Sequence, residues 1–328
     1  MNFLQKLIKP RFPSAAVGLT GESAAVVSLE RRRDAFAIRG AGYVSLPEGL
    51  VQPGFEESNV ADVRELADVL GELVSSAGLL KRHRWSIALP EAATRTAILT
   101  METGPTSGSE REEMLRWKTE RAFGAGVDEL RVSRRRLRPD AQGRPRYLAS
   151  AVRLSVLAEY EAAFSALGWH AGLILPRHMG EAWWLMKGHA ANAEADSLLV
   201  SAHSEGFTAV LLRAAQPLLV RSIVCDPEDR ADELYRFLLF YRDRATSAPD
   251  AGEENGAPAA AVAGETIDQL LVAGRGIEPQ QAAQIVEETL SVAPHIVDAE
   301  DVRLALPSTD LTFDMFAAPA GLAALASG

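Results

Sequence analysis

Two short polar stretches are the places in this chain where chemistry could be concentrated. The first, Thr20-Gly21-Glu22-Ser23, separates two apolar runs, Val17-Gly18-Leu19 and Ala24–Leu29. The second, Ser201-Ala202-His203-Ser204-Glu205-Gly206, also lies between two apolar runs. Apolar runs joined by a tight, small-residue turn predict a β-hairpin. The hairpin thus occurs twice, and the repeat predicts two halves facing each other across a cleft, each contributing a polar turn.

Other familiar arrangements of catalytic or metal-binding residues are missing from the sequence. It contains no Gly-x-x-x-x-Gly-Lys-Ser/Thr, Gly-x-Gly-x-x-Gly, His-Glu-x-x-His or Gly-x-Ser-x-Gly motif. The six histidines are scattered, and no two lie four residues apart. The single cysteine, Cys225, permits neither an internal disulfide nor a thiolate zinc cage. We therefore predict no catalytic residue and no metal ligand.

Length and charge bound the class of protein. A chain of 328 residues can hold two domains, each with its own core. A net charge of −10 argues against binding to nucleic acid or to an anionic membrane over the whole surface. The arginine runs Arg31–Arg33 and Arg134–Arg136 are local exceptions, interpreted as solvated turns and edge strands, with a binding patch as the alternative. No apolar stretch approaches the length of a membrane span, and the cytoplasm is the compartment that fits.

The hydrophobic pattern predicts the same order of elements in both halves: three strands, helix, strand, helix, strand, helix. This order predicts an α/β protein with a duplicated ribonuclease-H-like core and an inserted α+β subdomain. Within it we predict a helix from a Ser109 cap to Phe123 and a terminal helix over Asp314–Ala326. The predicted organisation is an N-terminal segment (1–15), a first half (16–91 and 148–190), an insertion (92–147) and a second half (191–328) with a disordered loop (246–265).

Short segments spread over nearly the whole chain resemble those of one known family. They are Met1-Asn2-Phe3-Leu4, Leu46-Pro47-Glu48-Gly49, Ile87-Ala88-Leu89-Pro90, Leu115-Arg116-Trp117-Lys118-Thr119-Glu120, Leu167-Gly168-Trp169 and Ala318-Pro319-Ala320-Gly321-Leu322-Ala323. In this order they resemble PilM, the type IV pilus assembly protein, which has an actin-like ATPase fold related to that of FtsA. The sequence is interpreted as a divergent member of that family.

The resemblance implies a cytoplasmic platform that reaches the inner membrane through its partners. Family members bind the N-terminal tail of PilN, a bitopic inner-membrane protein, couple it to pilus motor components, and bind ATP in the cleft. Their tail-binding groove lies between the first subdomain and its insertion. Arg116, Trp117 and Arg121 on the insertion helix are therefore candidate partner-binding residues. The alternative places Trp117 in the insertion's own core, with both arginines exposed.

The two turns depart from the family pattern. The first normally reads Asp-x-Gly-Ser/Thr-Ser/Thr, whose Asp orients magnesium and whose Gly lets backbone N–H groups approach phosphate. Here Thr20 replaces the Asp and Glu22 the Gly, and the second Asp-x-Gly is replaced by Ser201-Ala202-His203. A carboxylate facing phosphate at about 4 Å would cost on the order of 4 kcal/mol. The residues of this degenerate nucleotide cleft are Thr20, Gly21, Glu22, Ser23, Ser201, His203, Ser204, Gly274 and Gly276.

The resulting hypothesis is a scaffold without ATP hydrolysis, a pseudo-ATPase for which no cofactor is expected. Three alternatives stay open. In an ATP- and magnesium-binding switch, Glu22 or Glu205 would hold the metal through water. In a filament-forming FtsA-like protein, an amphipathic membrane-targeting tail would be typical, and Gly321–Gly328 has no basic residue. The last is the cytoplasmic part of a type II secretion protein, whose relatives continue into a transmembrane helix.

Overall fold

The computed structural model describes residues 12–102, 107–188, 196–246, 266–306 and 311–327. Most of the predicted N-terminal segment (1–15) and nearly all of the predicted loop (246–265) lie outside these ranges. The described strands are β1 (Ala15–Leu19), β2 (Ser23–Arg32), β3 (Ala35–Ser45), β4 (Arg84–Leu89), β5 (Arg95–Thr100), β6 (Leu130–Leu137), β7 (Arg146–Arg153), β8 (His170–Pro176), β9 (Asp196–His203), β10 (Gly206–Arg213), β11 (Gln216–Val224), β12 (Ile267–Ala273), β13 (His295–Ile296) and β14 (Leu304–Ala305). The described α-helices are α1 (Val63–Ser76), α2 (Gly108–Phe123), α3 (Leu154–Ala166), α4 (Arg177–Gly188), α5 (Arg230–Thr246), α6 (Pro279–Leu290) and α7 (Phe313–Ala324).

Two sheets with the same strand order form the core. The first runs β3-β2-β1-β4-β8 and the second β11-β10-β9-β12-β13. In each, three antiparallel strands are followed by two parallel ones, because the crossover helices place each later strand alongside the hairpin. Strand β14 pairs with β3 and gives the first sheet a sixth strand. The repeated order confirms the predicted duplicated ribonuclease-H-like core.

The inserted subdomain is a three-stranded antiparallel sheet, β5-β7-β6, with α2 on one face. Leu99, Phe123 and Leu130 pack between them. Because β7 pairs with both β5 and β6, the insertion extends to Arg153, past the predicted boundary at 147. The other face of the sheet meets the second half, where buried Arg146 donates Nη2 to the Leu218 carbonyl at 3.0 Å.

The start of α2 differs from the prediction. Ser107, not Ser109, caps the helix: its hydroxyl accepts the Glu110 N–H at 3.2 Å, while the Glu110 carboxylate accepts the Ser107 N–H at 3.3 Å. A capping box fits both serines at the sequence level, because each has a glutamate three residues later. The helix ends at Gly124, whose φ of 69° is accessible to glycine without strain.

Helices α4 and α7 lie between the two main sheets and cross closely. A Cβ at Gly321 would lie 1.8 Å from the Gly180 carbonyl oxygen, so only glycine allows this contact. Buried Trp184 donates its indole N–H to the Ala317 carbonyl at 2.8 Å across the same crossing. The terminal helix was predicted over Asp314–Ala326 and is observed over Phe313–Ala324. This crossing holds the halves together and leaves a cleft on one side.

Candidate functional site

The cleft between the halves contains most of the predicted turn residues. Its volume is about 280 Å³, and both turns and the loop after β12 reach it. The predicted residues that line it are Thr20, Gly21, Glu22, Ser23, His203, Ser204, Gly274 and Gly276. Ser201 does not line it, because this residue lies inside β9 and is fully buried. The fold therefore brings eight of the nine positions together, and what they do there remains a prediction.

The first turn satisfies its own backbone groups. The Thr20 hydroxyl oxygen accepts the N–H of Ser23 at 2.8 Å and that of Glu22 at 3.1 Å. The Thr20 N–H donates to the Ser23 carbonyl at 2.9 Å, which closes the turn. Backbone N–H groups in such a turn are the donors that cradle a phosphate elsewhere. Here the Thr20 side chain occupies two of them, through a local hydrogen-bonding pattern that threonine favours in turns.

The second turn is shorter than predicted. It consists of Ser204 and Glu205 alone, since β9 continues through His203 and β10 begins at Gly206. Gly206 has a φ of 140°, and a Cβ there would lie 2.0 Å from the Ile223 carbonyl oxygen. The prediction that the turn begins at Ser201 was wrong, because three alternating polar and small residues fit a strand as well as a turn.

Arg230, at the start of α5, ties the second turn to the loop after β12. Its Nη2 donates to the carbonyls of His203 at 2.6 Å and Ser204 at 3.1 Å. Its Nη1 donates to the Arg275 carbonyl at 3.1 Å. A Cβ at Gly276 would lie 1.7 Å from Nη1, so the second glycine makes room for this guanidinium. Arg230 is 5% exposed, and nothing in the sequence singled it out.

At the floor of the cleft, Glu91 forms a buried pair with His178 of the same half and also contacts a hydroxyl of the second half. Glu91 follows β4 in the first half, and its carboxylate accepts the His178 N–H at 2.7 Å. Nδ1 of His178 lies 2.7 Å from the other carboxylate oxygen, to which the Thr208 hydroxyl of the second half donates at 3.1 Å. Burial would raise the pKa of Glu91, but the charge and hydrogen bonds of His178 outweigh it and lower this pKa to about 2.

The two partners of that pair favour each other's charged forms. Burial would lower the pKa of His178, but the Glu91 carboxylate raises it above its ordinary value. One sign of this site is visible in the sequence: a carboxylate lies two residues beyond the carboxyl end of a buried strand, after Pro90. His178 was grouped with the scattered histidines, because only the tertiary structure places it beside Glu91.

A second set of polar groups surrounds this pair. Glu181 is fully buried and accepts from Arg177 Nη2 at 3.1 Å, and its burial raises its pKa. The ring nitrogens of His203 have no hydrogen-bond partner among the described residues, and burial lowers the pKa of this histidine. The two histidines thus differ, although both face the region between the halves: burial favours the neutral form of His203, and Glu91 favours the charged form of His178.

The groups at the two turns do not fit a magnesium-bound triphosphate. Neither turn offers an aspartate at the position where the family carries one, and the Thr20 hydroxyl occupies two backbone N–H groups of the first turn. Within the ranges that the structure describes, no cluster of three histidine, cysteine or acidic side chains could hold a metal ion. The cleft is thus built with hydroxyl, imidazole and guanidinium groups rather than with paired carboxylates.

A separate groove lies between the first half and the insertion. It has a volume of about 280 Å³. One wall comes from β8, and the opposite wall comes from β6 and β7 of the inserted sheet. The main apolar lining residues are Leu89, Val132, Val152, Leu157, Leu173, Ile174 and Leu175. Arg131 lies on one wall, and Glu161 of α3 contributes an acidic group.

The three predicted partner-binding residues lie elsewhere on the insertion. Arg116 pairs with Glu120 at 3.3 Å and with Asp128 at 2.7 Å on the surface of α2. Trp117 is 53% exposed, and the Arg121 guanidinium lies 5.4 Å from its ring centre. None of the three lines the groove. The alternative that buried Trp117 in the core of the insertion was wrong, and a partner-binding role for the three residues stays a prediction.

Comparison with solved structures supports the fold. The protein superposes on a chain of the PilM–PilN type IV pilus biogenesis complex with a TM-score of 0.75 at 19% sequence identity. The match covers 97% of this chain and 100% of that one. A protein of unknown function with an actin-like ATPase fold from Bacteroides thetaiotaomicron gives a TM-score of 0.49 at 11% identity, covering 97% and 98%. The cytoplasmic domain of EpsL, an inner-membrane component of the Vibrio cholerae type II secretion system, gives 0.43 at 11% identity, covering 80% and 83%.

No protein-family model and no curated protein sequence matches the chain. None of the described helices is long and apolar enough to cross a membrane. At 19% identity the likeness establishes the three-dimensional fold and not the function. The part of the chain that the structure describes therefore has an actin-like fold that superposes on the PilM–PilN structure, as its sequence predicted.

Proposed function

We propose that this protein is a PilM-like cytoplasmic scaffold of a type IV pilus assembly platform. It binds the N-terminal tail of a PilN-type inner-membrane protein, reaches the membrane through that partner, connects it to pilus motor components, and does not hydrolyse ATP. The observation that carries the proposal is the match to the PilM–PilN structure over 97% of this chain and 100% of that one. The sequence segments that resemble the PilM family occur in a chain with this fold, and this agreement further supports the proposal.

The groove between β8 and the inserted sheet suits an extended apolar peptide. Strand β8 is the edge of the first sheet, and β6 is the edge of the inserted sheet, so both walls offer backbone groups that no other described strand pairs with. An extended segment can pair with such an edge while alternate side chains enter apolar pockets. Leu157, Leu173 and Leu175 provide the apolar surface. We therefore assign the tail to this groove rather than to the surface of Trp117.

The cleft supports the absence of ATP turnover. Two N–H groups of the first turn are bound by the Thr20 hydroxyl, and Arg230 binds the carbonyls of the second turn. A triphosphate would have to displace the Thr20 hydroxyl to reach the N–H groups of the first turn, and it would face Glu22 without the expected aspartates. An ATP-binding switch is the second candidate, because a cavity of about 280 Å³ does remain between the two halves.

Tail binding is tested by fluorescence anisotropy with labelled N-terminal peptides of PilN-type proteins. Leu173→Gln, which places an amide in the groove, should weaken the binding of a peptide by about tenfold or more. Leu80→Gln is the matched control, because Leu80 is 62% exposed and does not line the groove. Equal affinities for the two variants, or no binding of any peptide to the unmodified protein, would contradict the proposal.

Nucleotide binding is tested by isothermal titration of the purified protein with ATP and magnesium. The proposal expects no heat of binding at micromolar nucleotide. Micromolar affinity would favour the switch, and hydrolysis abolished by Glu22→Ala would identify Glu22 as its metal-holding group. The two titrations are independent, because the groove and the cleft share no lining residue.

A further inference from the structure

The edge strand of the insertion concentrates positive charge in an otherwise acidic protein. Five arginines lie within eight positions on β6 and just after it, while the whole chain has a net charge of −10. They are Arg131, Arg134, Arg135, Arg136 and Arg138, and all are exposed. We refer to them as the β6 arginine row. Arg134 pairs with Glu112 of α2, and the other four form no ion pair with any residue that the structure describes.

The row follows the free edge of the inserted sheet. Across the β6–β7 pair, Arg135 lies opposite Leu148, and Arg136 lies opposite Tyr147. Because neighbouring residues of a strand point to opposite faces, these two arginines lie on opposite faces of the sheet. At about 3.3 Å per residue, Arg131 and Arg138 are separated by about 23 Å along the strand direction. The arginines therefore form a long, shallow line on both sides of one strand. The last four arginines of the row line neither the cleft nor the groove.

Arginines in this arrangement suit an anionic partner with several separate charges along a line. The planar guanidinium binds phosphate oxygens with two parallel hydrogen bonds, which lysine cannot do. A bilayer surface offers headgroup phosphates at all points along such a line, whereas a folded protein would need carboxylates placed to match. The acidic remainder of the chain does not prevent this, because charges beyond about 8 Å are screened at physiological salt.

We infer that the β6 arginine row binds the anionic headgroups of a membrane surface. The choice of a bilayer rests on the proposed function, because a groove that receives the tail of a membrane protein must come close to that membrane. Arg131 lines this groove, so the row begins at its wall. Tail and lipid would then bind adjacent surfaces of the insertion, and each contact would raise the effective concentration of the other.

The test is co-sedimentation of the full chain with vesicles. Vesicles of equal parts phosphatidylglycerol and phosphatidylcholine should bind the protein, and vesicles of phosphatidylcholine alone should not. Arg135→Gln combined with Arg136→Gln removes two unpaired charges without touching the groove lining. The loss should be about fivefold for each arginine replaced, and binding should disappear at about 1 M salt.

Arg64→Gln combined with Lys81→Gln is the matched control, because it removes two exposed charges of the same sign from the first half. The inference predicts that this control binds vesicles as the unmodified protein does. It is overturned if both double variants bind equally well, or if neutral vesicles bind as strongly as anionic ones. It is also overturned if free inorganic phosphate at the lipid-phosphate concentration abolishes sedimentation, since that would indicate a site for single anions.

Peptide affinity, measured on the same samples, separates this inference from the proposed function. Arg135→Gln/Arg136→Gln should leave tail binding unchanged. Tail binding without any vesicle binding would contradict the lipid inference alone. Vesicle binding that depends on the β6 arginine row, in a protein that binds no tail, would contradict the proposed function alone.

Discussion

The two hairpin turns occupy equivalent places in the two halves, yet they are stabilised in different ways. The first closes on itself, since the Thr20 hydroxyl accepts both N–H groups that follow it. The second depends on Arg230, which comes from a helix more than twenty residues further along the chain. The same topology therefore leaves open whether a turn satisfies its backbone groups locally or through a distant side chain. The cost of breaking each turn should differ accordingly.

The largest effect should come from the floor that both turns share. Glu91→Ala removes a buried carboxylate that accepts from His178 and Thr208, and it leaves a buried imidazole without its counter-charge. The free energy of unfolding should fall by about 4 kcal/mol. Urea denaturation measures it, with Glu57→Ala as the control at an exposed acid. A loss of less than about 1 kcal/mol would show that the buried contacts of Glu91 do not stabilise the fold.

The same pair gives a pH dependence with a defined sign. The pKa of Glu91 falls from 4.5 to about 2 on folding, so its stabilising contribution is complete above pH 4.5 and is lost as the pH falls towards 2. This loss amounts to about 3 kcal/mol. The pKa of His178 rises above 6.5, so its contribution is complete below pH 6.5 and is lost at higher pH. Urea midpoints measured from acidic to alkaline pH should reveal both losses of stability. Glu91→Gln should remove the loss that occurs below pH 4.5.

Removing the contacts that hold the second turn should lower the unfolding free energy more than removing those of the first turn. Arg230→Met keeps the volume of the side chain but removes the donors to the carbonyls of His203, Ser204 and Arg275. We expect a loss of about 3 kcal/mol in unfolding free energy. Arg236→Met on the same helix is the control, because that side chain is 69% exposed. Equal stability of the two variants would mean that Arg230 is not needed to hold the turn.

Altering the first turn should lower the unfolding free energy by less, because its hydrogen bonds join only neighbouring residues. Thr20→Val removes the acceptor of two N–H groups while keeping the branched shape, and should cost about 1 to 2 kcal/mol. Thr20→Ser keeps the hydroxyl and should retain most of this stability. If serine and valine at position 20 are equally destabilising, the methyl group and not the hydroxyl supports the turn.

The smallest effect should come from Glu22. Its side chain is exposed at the rim of the cleft, so Glu22→Gln should change the unfolding free energy by less than about 0.5 kcal/mol. The same variant should give no heat with ATP and magnesium, as we expect for the unmodified protein. A gain of nucleotide binding would show that the charge of this carboxylate is what excludes the triphosphate.

The fold was predictable because it is repeated and because periodicity survives low sequence identity. Apolar runs that flank small turns specify hairpins, and a second copy of the hairpin specified the duplicated core. Boundaries were less predictable, since Ser107 and Ser109 both fit a capping box and β7 could belong to either neighbouring sheet. Positions within the cleft were predicted by alignment to a family pattern, and eight of the nine do reach it.

The sequence by itself determined the architecture and the replacement of the expected aspartates, because both follow from local patterns of residue type. Only the tertiary structure decided which side chains occupy the cleft instead. Arg230 and Glu91 are far apart in sequence, and both line the cleft. Beneath it, Glu91 meets His178 and Thr208, because two sheets and the α4–α7 crossing bring them together. The tertiary structure likewise places the groove away from the exposed Trp117. The sequence could not show this, because the outer surface of a helix and the edge of a sheet have similarly polar residue patterns.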